Sequence, residues 1–298
     1  MLKLIGNTAI VTGGARGIGY AMADKLMEHG ASVVIADVLK EDGANSAKQL
    51  TEKYASVNGA KCYYVWVDLT DFASTQEMVN KAIELLGKVE MVNCNAGIDW
   101  PHVPVWEETE DAWKKIFDID VGGVFHTLKA TIPYMIRNEI CGSFVITSSI
   151  NATWPTDGLS HYSAAKAAVA NLAKTVTDEA GRYGIRCNAI SPGLTMTDMV
   201  ARFAGGKSLQ MFLDRTALYN DSDEVRAGYP EDVARVNAFL HSELATWVSG
   251  MNVPVDGGAH IFGLHSYTDV DNEYPVRVPD THGWNVTTDN WKQKLSNT

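Results

Sequence analysis

Alternation of short apolar runs with segments of helical periodicity is the feature that most constrains how this chain folds. "TAIVTG" (8–13), "SVVIAD" (32–37), "CYYVWVDL" (62–69), "VEMVNCNAG" (89–97), "GSFVITSS" (142–149) and "IRCNAISPG" (185–193) are apolar runs that close on Gly, Asp, Asn or Ser. Amphipathic segments such as "GIGYAMADKLMEHG" and "TQEMVNKAIELLGK" separate them. A strand buried on both faces reads as a continuous apolar run, whereas a helix packed on one side reads with a 3.6-residue period. Strand then helix, repeated, predicts parallel strands joined by right-handed crossovers, with both sheet faces covered. A seventh strand, "NVPVDGG" (252–258), follows the helical "EDVARVNAFLHSE" (231–243). Ligands of such sheets bind at the carboxyl ends of the strands, where the polar closing residues fall.

No repeat, low-complexity tract or linker interrupts the pattern, so residues 1–259 read as one domain. Residues 260–298 are rich in Asp, Asn, Thr and aromatics and poor in periodicity, and read as an irregular C-terminal extension lying over the domain or over a neighbouring subunit. The net charge of -11, with scattered lysines and arginines, excludes a general nucleic-acid binder, which needs a basic stripe. No basic amphipathic helix suits an anionic membrane surface. Cys62, Cys94, Cys141 and Cys187 stand far apart without a CxxC pair and read as reduced thiols, not as a disulfide frame or a metal site. No stretch approaches a spanning length and no cleavable apolar leader is present, so the expectation is a soluble, cytoplasmic protein.

"TGGARGIG" (12–19) directly follows the first strand and opens the first helix. Gly13, Gly17 and Gly19 give the turn freedom, let the backbone approach a pyrophosphate and permit tight helix–strand packing, and the helix N-terminus favours the anion. Asp37 ends the second strand, where a carboxylate accepts hydrogen bonds from an adenosine ribose and repels a 2′-phosphate, which favours NAD over NADP. Arg16, inside the loop, is the residue that would attract such a phosphate instead. Asp68 closes the third strand, where it would meet the adenine or cap the following helix. "YSAAK" (162–166) places Tyr162 and Lys166 four apart on one helical face. By itself that pair reads rather as the start of an apolar stripe continued by Ala165, Val169 and Leu172, with a solvated lysine at its edge.

Taken in order, "TGGARGIG", "NAG" (95–97), "SS" (148–149), "YSAAK", "SPG" (191–193) and "VDGG" (255–258) make the chain resemble the short-chain dehydrogenase/reductase family over residues 6 to 259. The resemblance implies a Rossmann-type doubly wound parallel sheet of about seven strands, a three-layer α/β/α single domain with an irregular tail. It implies an NAD-dependent oxidoreductase that interconverts a secondary alcohol and a ketone. Ser149, thirteen residues before Tyr162, becomes the catalytic serine, with Ser148 the alternative hydroxyl, and Tyr162 and Lys166 its partners. The implied cofactor set is Thr12, Gly13, Arg16, Gly17, Ile18 and Gly19 at the glycine turn, with Asp37, Asp68 and Leu69 at the adenosine. Asn95, Ala96 and Gly97 line the ribose, Tyr162 and Lys166 lie at the nicotinamide ribose, and Pro192, Gly193, Leu194, Thr195 and Thr197 follow the sixth strand.

Elementary acid–base chemistry suits these roles. Removing hydride from a carbinol carbon requires its hydroxyl to lose a proton, and a phenol of pKa about 10 is a poor base at neutral pH. A neighbouring ammonium and the positive nicotinamide ring stabilise phenolate, while Ser149 holds the substrate oxygen as charge develops there. One position departs from the family pattern. In "FDIDVGGVF" (117–125), Asp120 occupies the place of an Asn that helps hold a water beside the lysine. An aspartate adds a negative charge facing Lys166, favouring the ammonium and disfavouring the phenolate. A working enzyme with an altered pH optimum is the expectation; Asp120 is also the only encouragement for the alternative of an inactive NAD-binding sensor or scaffold. The lack of a longer substrate domain speaks against a nucleotide-sugar epimerase.

Substrate contacts are expected from Ser149, Asn151, Trp154, Trp100 and Tyr162. The two tryptophans suggest an aromatic wall for a small cyclic or sugar-like molecule, or else core and subunit contacts. His102 and His161 read as loop histidines. Segment 196–228, with Met196, Met199, Phe203, Met211, Phe212 and "AGG" at 204–206, reads as a hinged lid. The family likeness implies a homo-oligomer, a tetramer being favoured, paired through helices around 104–136 and 160–183.

Overall fold

The computed structural model describes residues 2–4, 6–99, 102–201 and 227–261. Trp100, most of the expected lid (202–226) and the extension from 262 onward lie outside the described residues. The described residues up to His260 belong to one compact unit.

Seven strands form one sheet: β1 (Thr8–Thr12), β2 (Ser32–Asp37), β3 (Cys62–Trp66), β4 (Met91–Cys94), β5 (Ser143–Thr147), β6 (Arg186–Pro192) and β7 (Asn252–Val255). They lie in the order β3-β2-β1-β4-β5-β6-β7 and every pairing is parallel. The order reverses between β1 and β4, which opens a crevice at their carboxyl ends. Helices α1 (Gly17–Glu28), α2 (Lys40–Asn58), α3 (Phe72–Leu86), α4 (Glu110–Ile116), α5 (Gly123–Arg137) and α6 (Ser160–Ala180) supply the outer layers with the helix Pro230–His241.

The two-residue period of the strands divides the core between the sheet faces. Ile10, Val34, Val92, Phe144 and Ile146 pack with α3, α5 and α6, whereas Ala9, Val11, Val33, Ile35 and Val145 pack with α1, α2 and the helix Pro230–His241. Phe144, fully buried, is representative: burying such a side chain contributes about 1.5–3 kcal/mol.

All seven expected strands are present; β2 keeps its expected bounds, with Asp37 paired to Trp66 in the ladder, and the other six are shorter than their apolar runs. The helix expected from about 104 begins at Glu110, where the Thr109 hydroxyl accepts a hydrogen bond from Ala112 N at 3.2 Å and caps it. Between α4 and α5 the backbone widens into a π-helical turn, Phe117–Gly122, that carries Asp120. Such turns recur at functional sites, since the extra residue rotates a side chain out of the α-helical register.

Candidate active site

The glycine turn is held from the neighbouring strands. Asn95 Nδ2 donates to Thr12 O (3.1 Å) and Gly13 O (3.2 Å), and Thr12 Oγ1 accepts from Asn95 N (3.0 Å) and Ala96 N (3.2 Å). Gly13 has a positive φ of 64°, and a Cβ there would lie 2.7 Å from Ala96 Cα. A Cβ at Gly19 would come within 2.1 Å of Gly13 O. Only glycines at both places allow the loop to close on β4, and Ile18 follows in the first turn of α1.

Asp37 is nearly buried; its Oδ2 accepts from Ala15 N and its Oδ1 from Leu39 N, each at 3.0 Å. Arg16 turns to Asp42 at 2.6 Å and to Asp198 at 3.7 Å. Asp68 accepts from Thr70 N (2.9 Å) and Thr70 Oγ1 (2.7 Å), making a local turn; Asp71, not Asp68, caps α3. Leu69 is buried against Gly123. Past Pro192, a Cβ at Gly193 would meet Asp256 Cβ at 2.6 Å, which explains why "SPG" and "VDGG" close together. The Leu194 carbonyl accepts from Gly228 N and the Thr195 hydroxyl donates to Gly193 O, while the Thr197 methyl lies against Gly17.

The acid–base residues meet at the carboxyl ends of β4 and β5. Lys166 Nζ is 3.0 Å from Asp120 Oδ2 and donates to Thr147 O at 3.2 Å. It also lies 5.3 Å from the centroid of the Tyr162 ring. Asp120 Oδ1 accepts from Ile98 N at 2.9 Å. A Cβ at Gly97 would sit 2.8 Å from Asp120 Oδ2 and 3.1 Å from Lys166 Nζ, so the ion pair fits only against a bare backbone. The two serines separate in space. Ser148 Oγ donates to Lys166 O at 2.8 Å and is consumed by the helix, whereas Ser149 Oγ accepts from Asn151 N at 3.2 Å and stands near enough to Tyr162 to act on its phenol.

Packing around Tyr162 raises its phenol above the ordinary value even though part of the ring stays exposed; Lys166 opposes this, Asp120 and Asp99 add to it, and the Ser149 hydrogen bond lowers it. Burial works against the Lys166 ammonium, but Asp120 and then Tyr162 outweigh it and hold it above its ordinary value. Burial raises the Asp120 carboxyl, opposed by Lys166 and by the Ile98 amide.

Trp154 is 54% exposed, so it fills no core; Asn151 Oδ1 accepts from Thr156 Oγ1 at 3.0 Å. Met196 and Met199 are partly exposed. His161 corrects the sequence reading: it lies in the first turn of α6, fully buried, in contact with the buried Glu108 carboxylate. Only a helical phase fixed by Tyr162 and Lys166 would have placed it inward. Cys62, Cys94 and Cys187 are buried, and burial pushes the first two thiols up to about 12; Cys141 is exposed and is no core residue, because it lies in the connection between α5 and β5. Among the described residues no cluster of His, Cys, Asp or Glu could hold a metal, and no helix is long and apolar enough to cross a membrane.

Known proteins resemble this chain over most of its length. Residues 13–260 match the family model described as enoyl-(acyl carrier protein) reductase. Meso-2,3-butanediol dehydrogenase of Serratia marcescens is 32% identical over 260 residues, covering 87% of this chain and 96% of that protein. A short-chain type dehydrogenase/reductase from Mycobacterium ulcerans superposes with a TM-score of 0.81 at 33% identity, covering 88% of this chain and 92% of that one. A 3-ketoacyl-(acyl-carrier-protein) reductase from Brucella melitensis, solved with NADH, gives a TM-score of 0.77 at 26% identity, covering 87% of this chain and all of that one. With its parallel sheet, its glycine turn against β4 and its Tyr–Lys helix, the chain belongs to the short-chain dehydrogenase/reductase family of oxidoreductases.

Proposed function

We propose that this protein is an NAD-dependent dehydrogenase of a small secondary alcohol, working reversibly as a ketone reductase. The observation that carries the reading is the convergence of the Tyr162 phenol, the Ser149 hydroxyl and the Lys166 ammonium at the carboxyl ends of β4 and β5. A molecule that only sensed NAD would have no use for a phenol between an ammonium and a hydroxyl.

The crevice fits a dinucleotide: the glycine turn has no room for a Cβ at Gly13 or Gly19, and Asp37 presents a carboxylate beside it. Thr12, Gly13, Arg16, Gly17, Ile18, Gly19 and Thr197 surround the phosphate position in this reading. Asp37, Asp68, Leu69, Asn95, Ala96 and Gly97 face the adenosine half, and Pro192, Gly193, Leu194 and Thr195 the nicotinamide half. The nicotinamide, when bound, accepts or returns the hydride. Asp37 then favours NAD, because Arg16, the one cation in the loop, is engaged by Asp42 and Asp198.

Tyr162 takes the proton from the substrate hydroxyl, or returns it to the ketone oxygen. Ser149 holds that oxygen and donates to it as negative charge develops. Lys166 stabilises the phenolate, and Asp120 fixes the ammonium in place. Asn151 and Trp154 face the substrate, and the relative that acts on meso-2,3-butanediol supports a compact polyol or cyclic alcohol. Trp113 and Phe125, exposed on α4 and α5, support assembly as a homo-oligomer, a tetramer in this reading.

NADH formation from a panel of 2,3-butanediol isomers, cyclic diols and sugars at alkaline pH tests the proposal. Turnover that disappears in Tyr162→Phe is expected; no turnover of any alcohol, with NAD binding retained, would overturn it.

A further inference from the structure

The mechanism makes no use of a second buried acid–base pair in the same layer. His161 is 0% exposed and the Glu108 side chain 6%, and the ring Nδ1 meets Glu108 Oε2. Neither His161 nitrogen nor Glu108 Oε2 has a hydrogen-bond partner among the described residues, so the approach of Nδ1 to Oε2 stands as an ion-pair contact. A histidine and a carboxylate withdrawn from water without other partners depend on each other, and removing one strands the other.

The position of the pair gives it a consequence. Glu108 ends the loop that leaves β4 and immediately precedes the Thr109 cap of α4; His161 immediately precedes Tyr162 on α6. A few residues earlier the same loop is pinned again, by Val103 N donating to Gly158 O at 3.1 Å. Gly158 has a positive φ of 76°, and a Cβ there would lie 3.2 Å from His102 Cβ. The loop 102–109 is therefore held at two points against the segment that runs from Trp154 to Tyr162. Loops beyond the carboxyl ends of such strands shape the substrate side of the crevice, opposite the glycine turn.

We infer that Glu108 and His161 are positioning residues for the alcohol: their contact is a strut that holds the loop 102–109 against the catalytic helix and so sets the substrate wall beside Tyr162. Neither residue touches the reacting atoms in this account. The strut rests on the dehydrogenase reading for its effect on kinetics, but not for its effect on the loop.

His161→Leu removes the ring and His161→Gln keeps a hydrogen-bonding group. With meso-2,3-butanediol as probe, His161→Leu is expected to raise KM for the alcohol by about tenfold or more with NADH affinity unchanged within about twofold, and His161→Gln to recover most of the loss. Hydrogen–deuterium exchange of backbone amides in 102–109 is expected to speed up in His161→Leu while residues 13–19 exchange as in wild type. Should His161→Leu fail to fold, Glu108→Gln/His161→Leu removes the stranded charge and is read in the same way. A lower Tm with unchanged KM and unchanged loop exchange would reduce the pair to packing and overturn the inference, as would a parallel loss of NADH affinity. Wild type that turns over no alcohol counts against the dehydrogenase reading alone, because the exchange experiment needs no turnover and still decides the strut.

Discussion

The Lys166 ammonium stands 3.0 Å from the Asp120 carboxylate, with both side chains withdrawn from solvent. Two opposite effects reach Tyr162 through this pair. Asp120 keeps Lys166 protonated, which helps the phenolate, and its own negative charge works directly against that phenolate. On Tyr162 itself Asp120 acts as a negative charge that raises the phenol, and an amide in its place removes that direct repulsion.

Asp120→Asn should therefore move the rising limb of kcat/KM for alcohol oxidation to lower pH. The amide oxygen can still accept from Ile98 N, so the π-helical turn is retained. Profiles of wild type and variant that superimpose would remove Asp120 from the proton chemistry.

How much of this was legible beforehand differs from residue to residue. Parallel strands betray themselves because burial leaves their runs mostly apolar, so β1 to β7 could be read directly from those runs, with Asn93 and Asn188 as buried polar exceptions. Asp120 could be flagged by alignment of motifs, but not the π-helical turn that presents it, since one extra residue per turn leaves no composition signature. Ser148 and Ser149 look identical in sequence; the pleat sends one to the Lys166 carbonyl and the other toward Tyr162. Asp68 and Asp71 both suit a helix start; Asp71 accepts from Ala73 N and Ser74 N and caps α3, whereas Asp68 is taken up by Thr70. The Glu108–His161 contact joins residues 53 apart, a separation no local pattern encodes.

The serines offer a separation of chemistry from stability. Ser149→Ala should lower kcat by about 10²–10³-fold, the range for loss of one oxyanion donor, with little change in Tm. Ser148→Ala should do the reverse, costing about 1 kcal/mol of unfolding free energy through its lost bond to Lys166 O while kcat stays near wild type. Steady-state kinetics beside urea unfolding of both variants checks the assignment; equal kinetic losses would sink it.

Cofactor choice should follow Asp37. Its carboxylate stands beside the glycine turn on two backbone amides, and Arg16 is turned to Asp42. Asp37→Ser is expected to raise the ratio of kcat/KM with NADP to that with NAD by about tenfold or more, since removal of one repelled charge at close range is worth at least about 1.4 kcal/mol. The ratio is measured with one alcohol at saturating concentration, and an unchanged ratio would mean that the ribose lies elsewhere.

A last expectation concerns acid stability. His241 is buried between Ser143 Oγ, 2.7 Å from Nδ1, and Asn93 Oδ1, 3.0 Å from Nε2. Asn93 Nδ2 donates to Ile10 O, so Oδ1 can only accept; Nε2 must carry the ring proton and Nδ1 accepts from Ser143. Burial, with Arg186 nearby, pushes the imidazole down to about 3. The unfolded chain therefore binds a proton that the folded chain refuses throughout the interval from about 6.5 down to about 3. The stability tied to neutral His241 is complete above that interval and is lost as pH falls through it, on the order of a few kcal/mol in total. His241→Gln should lower stability at pH above the interval, because it disturbs a buried network, and flatten the acid slope. Urea unfolding of both proteins across that pH range isolates the residue as the difference between two curves; parallel curves would assign the acid sensitivity to other groups.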